Sequence, residues 1–181
     1  NMLRRARVSA GDRVLITGAS GGVGTAAIQL ARRRGAHVVA VASTAKAAAL
    51  HDLGAHAVVG RDADLVASVG DGAIDVVVDV VGGPRWPALL DVLARGGRYV
   101  ASGAIAGPLV ELDLRTLYLK DLTLLGATYQ EPDLFDDLVR YIEAGEIRPL
   151  VHAIYPLERI ADAQADFATK DHIGKLVLTV P

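Results

Sequence analysis

The sequence predicts an α/β fold, a doubly wound parallel sheet of about six strands followed by a C-terminal helix–strand return segment. Three observations predict it. Short runs apolar at nearly every position recur as "RVLITG", "HVVAVAS", "AVVG", "IDVVVDVVGG" and "RYVASG", the pattern of strands covered on both faces. Segments with helical spacing, "TAAIQLARRRG", "AKAAALHDLG", "DLVASVG" and "RWPALLDVLARGG", separate them, and such alternation implies crossover βαβ units. A glycine-rich stretch, "TGASGGVG" at residues 17–24, joins the first strand to the first long helix.

Bulk properties set the frame. The chain has 181 residues, enough for one domain with a small appendage that buries about 70% of its unfolded surface. Hydrophobic residues make up 51% and mean hydropathy is +0.33, yet no apolar run approaches the ~20 residues that cross a bilayer. A formal net charge of −2 from 19 basic and 21 acidic residues leaves no footprint for a nucleic-acid backbone. With no cysteine, disulfides, thiolate nucleophiles and cysteine-ligated zinc are excluded within these residues. A cytoplasmic, membrane-free and nucleic-acid-free protein is the expectation.

Taken in order, "NMLRRARVSAGD" reads as a short helix running into a turn, without the apolar stretch or cleavage site of a secretory signal. Gly35, Gly54 and Gly96 each follow a helical run and are expected to stop it in the left-handed conformation. Arg32, Arg33 and Arg34 fall in the last turn of the first long helix, where positive charge suits the dipole. "LTLLGAT" is expected as the sixth strand, and "DLFDDLVRYIEAG" as a helix with Leu134, Leu138, Val139 and Ile142 on one face. After Pro149 come "HAIYPLERIADAQADFA" and a last strand, "GKLVLTV". The only boundary therefore falls near Pro149, dividing residues 1–149 from a return segment at 150–181.

The glycine stretch has two readings. As Ala19, Gly21 and Gly24 it is a dinucleotide fingerprint with alanine in the first glycine's place. As Thr17, Gly18, Gly22 and Gly24 it is the TGxxxGxG loop of short-chain dehydrogenases. The second demands a tyrosine four residues before a lysine, and Tyr99, Tyr118, Tyr129, Tyr141 and Tyr155 all lack one. In the first, Gly21 lets the backbone approach a pyrophosphate, Gly24 lets the helix pack closely, and helix-start amides hold the phosphates. A Rossmann fold binding a dinucleotide is the expectation; a glycine-rich turn that binds nothing is the bland alternative.

An NAD site usually carries an acid about 20 residues past the loop, but the region reads "VAVASTAK". A methyltransferase would want an acid there too. Ser43, Thr44 and Lys46 instead offer two hydroxyls and a cation to a 2′-phosphate, so NADP(H) is preferred over NAD(H). Ser43 or Thr44 is expected to cap the following helix in any case. Lys46 opposes the dipole in the first turn, a broken local rule of the kind that marks functional sites. Arg61 adds a second cation or is a surface arginine. The five histidines, His51 and His56 included, lack the spacing and companions of a metal site.

The whole chain resembles the cofactor domain of the medium-chain dehydrogenase/reductase superfamily, in its quinone oxidoreductase-like and zinc-type alcohol dehydrogenase-like branch. "GDRVLITGASGGVGTAAIQLARRRGA", "VVVDVVGG", "GGRYVASG", "DLTLLGAT" and "GKLVL" carry the resemblance. It implies that Ala19, Gly21, Gly22, Val23 and Gly24 hold the pyrophosphate. Ser43, Thr44 and Lys46 would take the adenosine ribose and its phosphate, with Arg61 nearby. Val80 and Gly82 after the fourth strand, and Ser102, Gly103 and Ala104 after the fifth, would border the nicotinamide. Gly60 and Arg61 depart from the family, many of whose members have a tyrosine there. Read without the family, Gly82 and Gly83 are a turn and Asp79 a polar strand end.

Family members carry an N-terminal substrate domain that supplies any zinc ligands and most proton-handling groups. Only a dozen residues precede the first strand here, so the chain is expected to be a fragment that binds cofactor with little turnover. The segment after Pro149 would pack on that other domain. Residues Leu122–Thr128 would form an edge strand continuing the sheet into a second subunit, giving a homodimer. No catalytic residue is assigned, no zinc is bound by these residues, and Tyr155 and Trp86 are read as packing. The expected function is an NADP(H)-dependent oxidoreductase acting on quinones, enones or aldehydes. The enoyl-reductase segment of a polyketide synthase and a non-catalytic dinucleotide-binding module are the alternatives.

Overall fold

The structure, a computed structural model, describes residues 1–181. Its first half runs α1 (Met2–Arg5), β1 (Arg13–Ile16), α2 (Gly22–Arg33), β2 (His37–Ala42), α3 (Ala47–Asp52), β3 (Ala57–Gly60), α4 (Leu65–Val69) and β4 (Ile74–Asp79). There follow α5 (Trp86–Asp91), β5 (Leu93–Ala101), α6 (Leu114–Leu119), β6 (Thr123–Gly126), α7 (Pro132–Glu143), β7 (Val151–Pro156), α8 (Ile160–Thr169) and β8 (Lys175–Thr179).

Six strands form one sheet in the order β3-β2-β1-β4-β5-β6, and every neighbouring pair is parallel. Successive crossovers therefore run one way from β1 to β3 and the other way from β4 to β6. The reversal lies between β1 and β4, where open α/β sheets leave a crevice beyond their strand ends.

Alternate side chains of the strands feed two cores. Val14, Ile16, Val38, Ala40, Val76 and Val78 pack with Leu3 of α1, Ala27 and Ile28 of α2 and Leu50 of α3. Leu15, Val39, Val41 and Val77 face the other way, against Leu65 of α4 and Trp86, Leu89 and Leu90 of α5. Leu15, Ile16, Ile28 and Leu50 are at most 1% exposed, and full burial of such a side chain stabilises the fold by about 1.5–3 kcal/mol. The continuous apolar runs in the sequence thus have the cause proposed for them: both faces of each central strand are covered.

Three expectations change. Gly35 and Gly54 do follow α2 and α3 with positive φ, but Gly96 lies inside β5 and stops no helix. Helix α5 ends at Asp91, and the pairing of β4 with β5 jumps from Ile74–Leu93 to Val76–Arg98. Gly96 sits in that bulge, where its amide donates to the Lys120 carbonyl at 2.7 Å. The return segment is strand–helix–strand, because residues 151–156 form β7, which pairs in parallel with β8 apart from the main sheet. Finally, no residue of α7 is buried; of its predicted face, Val139 is exposed and Leu134, Leu138 and Ile142 are half-covered.

Candidate cofactor-binding site

The glycine loop lies at the reversal between β1 and β4. Gly18 turns the chain with a φ of +56°, and the Gly21 amide closes the turn on the Gly18 carbonyl at 3.0 Å. Ala19 is fully buried and its amide donates to the Val41 carbonyl at 3.2 Å, so its side chain packs beneath the loop.

Two glycines behave in opposite ways. A Cβ at Gly24 would overlap the Gly18 carbonyl oxygen and stand 2.5 Å from the Ala19 Cα. Helix α2 can approach the loop only without a side chain there, which is the role assigned to the last glycine of the fingerprint. At Gly21 a Cβ would meet nothing closer than the Gly18 oxygen at 3.4 Å, and φ is an ordinary −78°. The fold itself does not demand that Gly21 lack a side chain.

The amide of Gly22 faces the Gly174 carbonyl across the parallel bridge of Gly21 with Gly174, and those of Val23 and Gly24 donate to no acceptor in the protein. The latter two are the free N–H groups of the first turn of α2, a helix of 12 residues, and the positive end of its dipole lies with them. Val23 is 53% exposed. Such a turn suits a diphosphate, which needs several converging donors and a site its oxygens can approach.

At the end of β2 no carboxylate follows Ala42. Ser43 is half-buried and Thr44 exposed, and neither caps a helix by its side chain. That expectation is corrected: the chain enters α3 through a tight turn at Thr44–Lys46, closed by the Lys46 amide on the Ser43 carbonyl at 3.0 Å. The Lys46 ammonium donates to the carbonyls of Lys170 and His172 at 2.6 and 2.7 Å. Its pKa is lowered, first by burial and then by repulsion from Arg61, with Asp171 partly compensating. Arg61 itself is exposed just past the end of β3.

The segment around residues 170–175 covers part of this region, a feature absent from the sequence reading. Gly174 donates its amide to the Ser20 carbonyl at 2.9 Å, and the Lys175 stem lies so close over Gly22 that a Cβ there would overlap it. His172 is buried at 8% exposure with its Nδ1 unpartnered. Burial lowers its pKa, and Lys46 and His152 add to the effect.

The loops after β4 and β5 meet beyond the sheet. A cavity of about 370 Å³ lies against them, lined among others by Gly82, Trp86, Tyr99, Gly103 and Ala104. Ser102 lies beside it, exposed, its amide bonded to the Asp79 carbonyl at 3.0 Å. A Cβ at Gly103 would come within 2.9 Å of the Val80 oxygen, so the two loops touch. Asp79 itself is fully buried and joins four donors, a role its place at the end of an apolar run did not disclose. Tyr99, one of those donors, has its pKa pushed up by burial and then by the Asp79 carboxylate.

The histidines have other partners. His51 bonds the Ala55 carbonyl through Nδ1 at 2.8 Å, and His56 accepts from the Val38 amide at 2.8 Å while stacking on His37. No three His, Asp or Glu side chains stand together as metal ligands would.

Comparisons with known proteins show the family. The family model described as zinc-binding dehydrogenase matches residues 22–144. The chain belongs to that family. Within it, acryloyl-coenzyme A reductase of Metallosphaera sedula is 36% identical over 98% of this chain and 53% of its own length. Quinone oxidoreductase of Sus scrofa is 33% identical over 98% of this chain and 57% of its own. Among solved structures, a Sinorhizobium meliloti protein provisionally described as an alcohol dehydrogenase is 54% identical, with a TM-score of 0.93 over 98% of this chain and 51% of that one. The 2-octenoyl-CoA carboxylase reductase CinF, solved with NADP and 2-octenoyl-CoA, is 31% identical, with a TM-score of 0.86 over 96% of this chain and 44% of that one. The chain spans about half the length of these relatives. These neighbours place it in the medium-chain dehydrogenase/reductase group, with the six-stranded parallel sheet of a Rossmann fold.

Proposed function

We propose that the chain is the cofactor-binding half of an NADP(H)-dependent oxidoreductase that moves a hydride between nicotinamide and a small carbonyl or alkene. The observation that carries the reading is the pair of free amides at Val23 and Gly24, next to Gly22 and to a glycine, Gly21, whose missing side chain the fold does not require. Those amides, with Gly21, would hold the pyrophosphate. Val80, Gly82, Ser102, Gly103 and Ala104 would border the nicotinamide, on the cavity side of the loops. When bound, the nicotinamide supplies or accepts the hydride; the chain's part is to hold and orient it.

The preference for NADP(H) has its support at the end of β2. Two cations, Lys46 and Arg61, repel each other there, and no acid follows the strand to accept from a ribose hydroxyl. Lysine has three donors; two of Lys46's reach carbonyls, leaving one and the whole charge for a phosphate. The complex of CinF with NADP favours the same choice.

The reductases of acryloyl-CoA and quinones among the relatives favour a conjugated alkene or quinone as substrate. The division at Pro149, with residues 150–181 packing on a further domain, is part of the proposal. Ile154 at 63% exposure and Phe167 at 48% are surface such a domain would cover. So is a homodimer through Leu122–Thr128, since β6 is an edge of the sheet. No helix is long and apolar enough to cross a membrane, and a cytoplasmic location fits a chain without cysteine.

Calorimetric titration with NADPH and NADH tests the reading. NADPH should bind more tightly, and Lys46→Ala should weaken NADPH about tenfold, the effect of losing one charge-assisted bond, while leaving NADH nearly unchanged. Tighter binding of NADH, or an NADPH affinity indifferent to Lys46→Ala, contradicts the phosphate assignment.

A further inference from the structure

We propose that Asp79 is a positioning residue for the nicotinamide end of the cofactor, its carboxylate fixing the loop after β4 relative to the glycine loop. The inference rests on the cofactor reading above. It begins from an anomaly: a carboxylate with no exposure ends a strand of valines in the centre of a parallel sheet. Burying a charge without partners costs several kcal/mol. No lysine, arginine or histidine pairs with Asp79, so neutral donors must compensate.

Four groups do. The Thr17 hydroxyl donates to Oδ1 at 2.5 Å, the Tyr99 hydroxyl to Oδ2 at 2.6 Å, and the Val81 amide to Oδ1 at 2.9 Å. The Gly82 amide reaches both oxygens at 3.2 Å. The Thr17 oxygen in turn accepts from the Val80 amide at 3.1 Å. Three successive amides of one loop are therefore held by two side chains, one ending β1 and one ending β4.

The consequence reaches both parts of the site. Thr17 immediately precedes Gly18, the turn of the phosphate loop, and a Cβ at Gly18 would come within 2.9 Å of Val80 Cγ2. On the other side the Ala106 amide donates to the Val81 carbonyl at 2.9 Å and the Gly83 amide to the Gly107 carbonyl at 3.0 Å, so the loop after β5 is registered on the loop after β4. Tyr99, anchored by the same carboxylate, lines the cavity beside Gly82, Gly103 and Ala104. Asp79 thereby sets how far the wall of the nicotinamide site stands from the amides that hold the phosphates. Asparagine in its place keeps one acceptor oxygen and turns a donor toward groups that need an acceptor.

The test separates the two halves of the ligand. The chain, its Asp79→Asn variant and its Tyr99→Phe variant are titrated with NADPH and with 2′-phospho-ADP-ribose, which lacks the nicotinamide. Asp79→Asn should weaken NADPH about tenfold and the nicotinamide-free ligand less than about twofold, and Tyr99→Phe should show the same selectivity at about threefold. Tyr99→Phe removes one donor and carries the test alone if Asp79→Asn does not fold. Equal losses for both ligands mark a merely structural carboxylate and overturn the proposal, as does NADPH binding unchanged in both variants. A parent chain that binds neither ligand overturns the cofactor reading itself, and the proposal with it.

Discussion

At the ends of β1, β4 and β5 the loops are locked to one another by short-range bonds, with Asp79, Thr17 and the tight Gly24 contact at their centre. At the end of β2 the arrangement is looser in kind. Lys46 is held by carbonyls 124 and 126 residues away, its neighbours Ser43 and Thr44 make no capping bonds, and Arg61 opposes its charge while Asp171 favours it. The difference teaches that the two halves of the groove answer to different constraints. The loops proposed to hold pyrophosphate and nicotinamide are part of the fold, so changes there should cost stability; the end of β2, proposed for the 2′-phosphate, is not tied into the sheet in this way, so changes there should alter ligand choice.

The largest effect expected from this contrast is at Gly24. Alanine there forces the helix start against the loop backbone, and overpacking of this kind costs about 1–3 kcal/mol. Urea unfolding should show the lower midpoint, and an unchanged midpoint would break the claim that the loop is part of the fold. Gly21→Ala sharpens the same comparison from the other side. Its backbone already suits alanine, so stability should hold or rise by up to about 1 kcal/mol, while dinucleotide affinity falls about tenfold or more because a methyl group keeps the phosphates away. A variant that loses stability but binds normally would reverse the assignment.

The smallest effect is a pH response of the segment that covers the loop. Burial disfavours the charged form of His172, with Lys46, His152 and Lys170 also opposing its charge and Asp166 favouring it. Its folded pKa lies below the ordinary value near 6.5, so the unfolded chain binds more protons as pH falls through that value. Stability is therefore complete above about pH 6.5 and declines as pH drops toward the lower folded pKa. Thermal unfolding at pH 7.5 and 5.5 should show a fall in the parent chain that is reduced in His172→Leu. An equal fall in both would place the acid sensitivity elsewhere.

Much of this was legible from local pattern, because local pattern has local causes. Valine-rich runs imply strands covered twice, and a strand, glycine loop and helix in succession imply free amides at a helix start. What was illegible depends on partners distant in sequence. Asp79 looked like a polar strand end because Thr17 and Tyr99, 62 and 20 residues away, join it only through the sheet. The contact of Lys175 with Gly22 and the pairing of β7 with β8 have no local signature either. Gly96 misled for the opposite reason: a glycine after apolar helical spacing suits a helix stop and a strand bulge alike, and only the register of β4 with β5 distinguishes them.

The central claim is that the first-turn amides of α2 hold a dinucleotide's phosphates. Titrating the ¹⁵N-labelled chain with NADPH while following backbone amide resonances tests it most directly. The account predicts that Val23 and Gly24 move most among all amides and slow in hydrogen exchange at saturation. Saturation by NADPH with those two resonances unmoved, the changes falling elsewhere on the sheet, would contradict it.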